Sequence, residues 1–458
     1  MNLNNKNVLI VGLATTGIPL VKVLKHLGAK VTITDTKSGK DLEAAIKELK
    51  LKEEGLLLGR QLRSLKEAGD PDLVILSPGV PMEIPLILDA KKKCVEVIGE
   101  TELAYRLKKG RLVAITGTNG KTTTTALTGE IFKKEKPRTH VVGNIGVPMI
   151  SKVLDSDEED CFIAEVSSFQ LESIESFKPD IAAILNLTPD HLNRHKTMEN
   201  YIRCKMNIFS NQGSSEIAVI NYDDRILKDI TQDLPSQKLY FSRLETLDEG
   251  VFIKTGKITV RVKGEDYEVV DQKDLRILGE HNVENALAAT AIAWSAGISL
   301  ESIRGGLKCF KGVEHRMEVC GNINGITFIN DSKGTNPEAS IKAVEALKAP
   351  TILLAGGMDK GADFQGLIDR LPGKVKCLVL YGETAPIIEK TARDKGFKNT
   401  VRVKNLEDAT KYAFTQGDTG DVILLSPACA SWDMYSSYEK RGEHFKEILE
   451  NLRRVSDD

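Results

Sequence analysis

The chain has 458 residues, which at about 150 residues per domain divides into about three units. Its 63 Lys+Arg against 65 Asp+Glu leave a net charge of −2, with 41% hydrophobic and 28% charged residues. This composition excludes a disordered chain, offers no basic excess for nucleic-acid binding, and contains no apolar run near the ~20 residues of a membrane span.

The polar stretch Met1–Lys6, followed by an apolar run that stops at Gly12, predicts no signal peptide. From there, short apolar runs alternate with helical patterns, the mark of βαβ units around a parallel sheet. Val8–Val11 reads as a strand, Gly17–Leu27 as a helix and Val31–Thr34 as a strand; Leu73–Leu76 and Val95–Ile98 continue the unit. The basic turn Lys108-Lys109-Gly110-Arg111 sets a first boundary, and a fresh strand follows at Leu112–Thr116. Further strands are expected at Cys161–Ala164, Ile181–Leu185 and Ile217–Ile220. Val251–Ile253, Ile258–Val262 and Tyr267–Val270 alternate around Gly256 and Gly264, which predicts antiparallel hairpins at a sheet edge. Helices over His281–Ser295 and Leu300–Leu307 close this unit, with a second boundary near Gly312–Glu314. Ile326–Ile329, Thr351–Leu354, Cys377–Leu380, Thr400–Val403 and Val422–Leu425 are strands of a last unit, ended by a helix over Met434–Arg454. The fold class is α/β in three domains: 1–110, Rossmann-like; 111–312, a P-loop ATPase-type mixed sheet; and 313–458, Rossmann-like again. Seven cysteines, odd in number and without a CxxC pair, read as buried thiols in a reducing compartment.

Two glycine-rich loops follow strands and open helices. In Ile115-Thr116-Gly117-Thr118-Asn119-Gly120-Lys121-Thr122-Thr123, bare backbone and the helix N-terminus suit a phosphate. Lys121 suits the outer phosphates and the Thr122 hydroxyl suits Mg²⁺. The loop is a variant, because Ile115 stands where the usual pattern has Gly. Gly12-Leu13-Ala14-Thr15-Thr16-Gly17, with Asp35 at the end of the next strand, imitates a dinucleotide fingerprint. Ala14 replaces its second glycine, so a phosphate or uridine held by Thr15, Thr16, Asp35 and Thr36 fits better than NAD; a tight turn capped by Asp35 stays open as an alternative. Ser77-Pro78-Gly79-Val80 ends another strand on that rim.

Near the phosphate loop, Glu165 ends a strand, where an acid suits Mg²⁺. His191 stands in the polar loop Asn186–Leu192 after another strand, whereas His195 reads as structural. Lys205 by itself reads as a solvated helix residue, and Asn282 and Asn285, three apart on one helix face, are ambiguous between capping and binding.

Taken together, Gly117–Thr123, Glu165–Gln170, Asp190-His191, Lys205, His281–Asn285, His315-Arg316-Met317-Glu318, Asn330-Asp331-Ser332-Lys333 and Ser426–Ser431 resemble the Mur ligase family in order and over nearly the whole chain. The first loop with its Asp35-Thr36 pair, the Ser167–Leu171 segment and Ser426–Ser431 are most similar to the D-glutamate-adding branch. The resemblance implies a bacterial, cytoplasmic enzyme, monomeric, without a nucleic-acid partner and without membrane insertion. It would ligate D-glutamate to UDP-N-acetylmuramoyl-L-alanine with ATP through an acyl phosphate. It implies Lys121 and Thr122 on the phosphates and a first Mg²⁺ with Glu165, and His191 on a second Mg²⁺. Lys205 would be carbamylated, which turns a cation into an oxygen donor. Gly117, Thr118, Asn119, Gly120, Thr123, Asn282, Asn285 and Asp331 would face the nucleotide, and Arg316 and Lys333 the transferred phosphoryl group. Thr335, Lys360, Ser431 and Tyr438 would hold D-glutamate, and Asn144, Thr15, Thr16, Asp35, Thr36, Ser77 and Gly79 the UDP-sugar. The folylpolyglutamate synthetase branch, an NAD-dependent oxidoreductase and a non-catalytic nucleotide-binding scaffold are the rival readings.

Overall fold

The computed structural model describes residues 1–13, 17–39, 42–49, 55–277, 279–359 and 361–457. Thr15, Thr16 and Lys360 therefore lie outside the described residues. Two compact units are present: Met1–Leu275 with Val283–Cys309, and Arg276–Asn282 with Phe310–Asp458.

The first unit contains two sheets. Strands β1 (Asn7–Val11), β2 (Lys30–Asp35), β3 (Leu56–Leu58), β4 (Leu73–Leu76) and β5 (Glu96–Gly99) form an all-parallel sheet in the order β3-β2-β1-β4-β5. The order reverses between β1 and β4, so the Gly12 and Ser77 loops share the crevice where open α/β sheets bind ligands. The second sheet has β6 (Arg111–Thr116), β7 (Thr139–Gly143), β8 (Cys161–Glu165), β9 (Ile181–Ile184), β10 (Ile217–Asn221), β11 (Gln237–Ser242), β12 (Gly250–Lys254), β13 (Lys257–Val262) and β14 (Glu265–Asp271). Its order is β14-β13-β12-β11-β10-β9-β6-β8-β7. The central strands β6, β8 and β9 are parallel and almost wholly buried, hence their continuous apolar sequence. The expected hairpins form the edge: β12–β13 and β13–β14 are antiparallel, turning at Thr255-Gly256 and Lys263-Gly264. All four turn residues have positive φ, as two-residue turns between twisted strands require.

In the second unit, β15 (Glu318–Ile323), β16 (Ile326–Asn330), β17 (Thr351–Gly356), β18 (Val375–Tyr381), β19 (Thr400–Arg402) and β20 (Val422–Leu425) lie in the order β15-β16-β20-β17-β18-β19, parallel except for β15. The terminal helix is Tyr438–Asp457, starting four residues later than expected, because the amides of Met434 and Tyr435 close a turn on the Ser431 carbonyl instead. All seven cysteines are free. Among the described residues no helix is long and apolar enough to cross a membrane.

One continuous apolar core runs from the first sheet into the second, through Leu103, Met149, Ile150, Val153 and Phe177. Two buried carboxylates on the helix Glu100–Leu107 stand at this junction. Among the described residues Glu100 accepts the Ile150 amide at 3.1 Å and a long contact from Thr101, and burial pushes it up to about 7. Glu102 is desolvated too, but it accepts from the amides of Glu175, Ser176 and Phe177, from the Ser176 hydroxyl and from Arg106. Burial pushes its carboxyl up; the Ser176, Glu175 and Arg106 hydrogen bonds outweigh that and hold it below the ordinary value. Glu102→Gln turns an amide N–H₂ toward these donors and is expected to lower stability by about 3 kcal/mol, read by urea denaturation. The gap between wild type and variant should close as pH falls below the ordinary value of 4.5 and through the lower folded value.

Candidate functional site

Between β6 and the helix Lys121–Lys133, residues 117–120 bend back over the β9 end. Gly120 has φ +84°, and a Cβ there would stand 2.3 Å from Asn285 Oδ1; a Cβ on Gly117 would press on Leu185. Only glycine allows both the turn and the approach. The Asn186 side chain and the Thr188 backbone, in the loop after β9, hold it: Asn119 N donates to Asn186 Oδ1 (2.8 Å), Asn186 Nδ2 to Asn119 O (3.1 Å) and Thr188 N to Thr118 Oγ1 (3.0 Å). Gly120, the N-cap residue, offers no side-chain cap, and a helix N-terminus of this kind suits an anion. Lys121 Nζ donates to the Gly117 and Thr118 carbonyls, Thr122 and Thr123 are buried, and Asn285 Oδ1 accepts from Thr124 Oγ1.

Glu165 ends β8 in register with Ile115, at the start of that loop, and with Gly143 on the other side. Its Oε1 accepts from Asn144 Nδ2 at 2.8 Å, while Oε2 is buried with no hydrogen-bond partner among the described residues. A buried carboxylate oxygen left over in this way fits a hard cation. Lys205, expected from its sequence surroundings to be solvated, is 1% exposed. Its Nζ donates to Gly117 O (2.8 Å) and Thr116 Oγ1 (3.2 Å) and lies 4.9 Å from the Tyr201 ring. Burial and then the Lys121 charge push this amine down to about 7, against the pull of Asp190 and Glu165. His191 is exposed, with φ +52°; its ring meets Phe169 at 5.0 Å and its amide donates to Asp190.

On the first sheet, Ser77 Oγ donates to Gly12 O at 2.6 Å. Asp35 accepts the Leu13 and Lys37 amides, so it fastens the Gly12 loop to the end of β2. Thr36 and Gly79 are exposed on this rim.

In the second unit, Asp331 follows β16 and accepts from Ser426 Oγ (2.7 Å), which follows β20. Burial pushes Asp331 up to about 6, opposed by that hydrogen bond and by the Arg316 charge. Arg316 sits between His315 and Met317, both with positive φ, a conformation that side chains keep only where neighbours impose it. Lys333 Nζ lies 5.6 Å from the Tyr438 ring. Ser431 is buried and Thr335 half-buried, while Asn282, in the first turn of the helix Glu280–Ser295, is buried with its amide on Gly279 O.

The loop, Glu165, Asn144, Asn285 and Lys205 thus converge in the first unit, with His191 joined through Phe169. Sequence reading passed over Tyr201, whose hydroxyl meets Thr118 Oγ1 at 3.0 Å, and over Thr116, Phe169, Asn186 and Thr188. Tyr201 lies four residues before Lys205 on the helix Met198–Met206, a spacing that puts both on one face.

Comparison with known proteins gives three consecutive matches: a MurD-like N-terminal domain over residues 6–99, a Mur ligase middle domain over 115–293 and a Mur ligase glutamate ligase domain over 315–429. UDP-N-acetylmuramoylalanine–D-glutamate ligases are similar over 99% of this chain and 100% of theirs: that of Alkaliphilus oremlandii is 54% identical and that of Clostridioides difficile 46%. Among solved structures, UDP-N-acetylmuramate–alanine ligase from Thermotoga maritima has the same fold, with TM-score 0.61 and 19% identity over 98% of this chain and all of that one. With family matches from residue 6 to residue 429 and full-length relatives at 54% identity, the chain belongs to the Mur ligase family.

Proposed function

We propose that this chain ligates D-glutamate to UDP-N-acetylmuramoyl-L-alanine at the expense of ATP, in peptidoglycan synthesis. The single observation that carries the reading is the 54% identity to a D-glutamate ligase over the full length of both chains. In this reading residues 1–110 bind the UDP-sugar, 111–312 ATP and 313–458 the amino acid, in a cytoplasmic monomer.

The substrate carboxylate attacks the γ-phosphorus of ATP, ADP leaves, and the D-glutamate amine then displaces phosphate from the acyl phosphate. The Gly117–Thr123 loop and the Lys121 ammonium bind the phosphates; Asn285, Asn282 and Asp331 serve the nucleotide, and Arg316 and Lys333 the transferred phosphoryl group. Thr122, Glu165, His191 and Lys205 are the residues proposed to hold two Mg²⁺ ions, with the orphaned Glu165 Oε2 as the supporting observation. When bound, Mg²⁺ would neutralise the charge that otherwise keeps a carboxylate from a phosphate. Asn144 orients Glu165 through its 2.8 Å hydrogen bond. The lowered Lys205 supplies a neutral amine near pH 7, which can add to CO₂, forming an N–C bond and releasing a proton. Asp35, Thr36, Ser77, Gly79, Asn144, Thr15 and Thr16 are assigned to the UDP-sugar, and Thr335, Lys360, Ser431 and Tyr438 to D-glutamate.

The direct test is ADP release with UDP-N-acetylmuramoyl-L-alanine and, in turn, D-glutamate, L-glutamate and meso-diaminopimelate. Release is expected with D-glutamate alone; release with another amine, or with a folate acceptor in place of the UDP-sugar, sinks the assignment. Lys205→Ala is expected to lower kcat by about a thousandfold, with small carboxylic acids restoring part of it by replacing the lost carbamate. Full turnover in that variant would remove the carbamate from the mechanism. In Gly120→Ala the new methyl group meets Asn285, so KM for ATP should rise by about tenfold or more while that for D-glutamate changes little; equal changes would show a general folding defect.

A further inference from the structure

The turn that carries His191 is held by side chains without a role so far. Residues Leu192–His195 make one helical turn, and the residues on either side, His191 and Lys196, both have positive φ, +52° and +70°. Non-glycine residues keep this conformation only when their surroundings impose it. Here the amides of Arg194 and His195 both donate to the His191 carbonyl at 3.0 Å. Both side chains then reach one carboxylate: Glu172 accepts Arg194 Nη2 at 2.6 Å and faces His195 Nδ1 at 3.3 Å. The His195 ring stacks on Phe169, the ring that His191 touches.

Arg194 also reaches away from this cluster. The same Nη2 donates to Val80 O at 3.1 Å. Val80 N closes its turn on Ser77 O at 3.0 Å, and Ser77 Oγ holds Gly12 O at 2.6 Å. An unbroken run of hydrogen bonds therefore leads from the Gly12 loop to the backbone of His191.

Glu172, His195 and Cys204 place a carboxylate oxygen, an imidazole nitrogen and a thiol within 4.8 Å of one another, a donor set suited to a transition metal. Arg194 already supplies the cation beside this carboxylate, and burial pushes the Cys204 thiol up, away from the thiolate a metal takes. The cluster is a brace.

We infer that Arg194 is a positioning residue for the ligation, anchored by Glu172, which fixes the Ser77–Val80 rim relative to His191. The inference rests on the ligase reading above, in which one substrate spans both places. A guanidinium fork can hold a carboxylate and a carbonyl in fixed geometry, whereas a lysine is a point charge that serves one of them. Small displacements of reacting groups cost large factors in rate.

Wild type, Arg194→Lys and Arg194→Gln are compared by phosphate release with each substrate varied in turn, and by thermal protection from UDP-N-acetylmuramoyl-L-alanine or ATP alone. In both variants KM for the UDP-sugar is expected to rise by about tenfold and kcat to fall, with KM for ATP within about twofold of wild type. Protection by the UDP-sugar should weaken and that by ATP persist. Equal rises in both KM values, or wild-type kinetics in Arg194→Lys, would overturn the inference. Arg194→Lys keeps a charge beside Glu172, so it decides the question if Arg194→Gln does not fold. Wild-type protein that releases no phosphate with UDP-N-acetylmuramoyl-L-alanine and D-glutamate overturns the ligase reading instead.

Discussion

A loop suited to phosphate must keep amides available and yet not collapse, and the Gly117–Gly120 loop of the first unit is shaped to that requirement. Backbone amides bind an anion only if no side chain or carbonyl satisfies them first. Here Gly117 and Gly120 leave no room for a Cβ, while Asn186 takes the Asn119 amide and the Thr188 amide takes the Thr118 hydroxyl. Tyr201 fastens Thr118 from below, and Lys205 takes the Gly117 carbonyl. The strand order places Glu165 beside this loop because β8 pairs directly with β6.

The buried charges are graded by how many donors or acceptors reach them. Glu102, with amides, a hydroxyl and a guanidinium around it, stays ionised in the core, whereas Glu100, nearby on the same helix with one amide, is pushed to about 7. Asp331 and Lys205 lie between, each desolvated and each only partly compensated. Burial of a charge without full compensation costs stability. That cost at Lys205 and at the half-satisfied Glu165 is what a site pays to keep groups ready for cations and anions from outside.

What the sequence revealed was local. Continuous apolar runs such as Leu73–Leu76 and Val422–Leu425 are strands because both faces are covered. Three strands that went unread, β3, β7 and β15, lie at sheet edges, where one side is free and the apolar signal thins. A fourth, β11, begins with exposed Gln237 and Lys238. The phosphate loop was legible because glycine, lysine and threonine act within nine consecutive residues. The Asn144–Glu165, Thr118–Tyr201 and Thr116–Lys205 contacts join distant segments, so no spacing rule reports them. Lys205 looked solvated because periodicity does not say which helix face the fold covers. His195, read as structural, is buried with both ring nitrogens engaged.

The Glu102 junction has a consequence for selectivity. Because a carboxylate and a continuous core join the first two sheets, the Gly12–Ser77 crevice and the Gly117–Gly120 loop are parts of one packed body. Such a body works as a ruler. On the ligation proposed above, an acceptor whose acyl chain is one residue longer or shorter, though chemically identical at its carboxylate, would deliver that carboxylate past or short of the γ-phosphate.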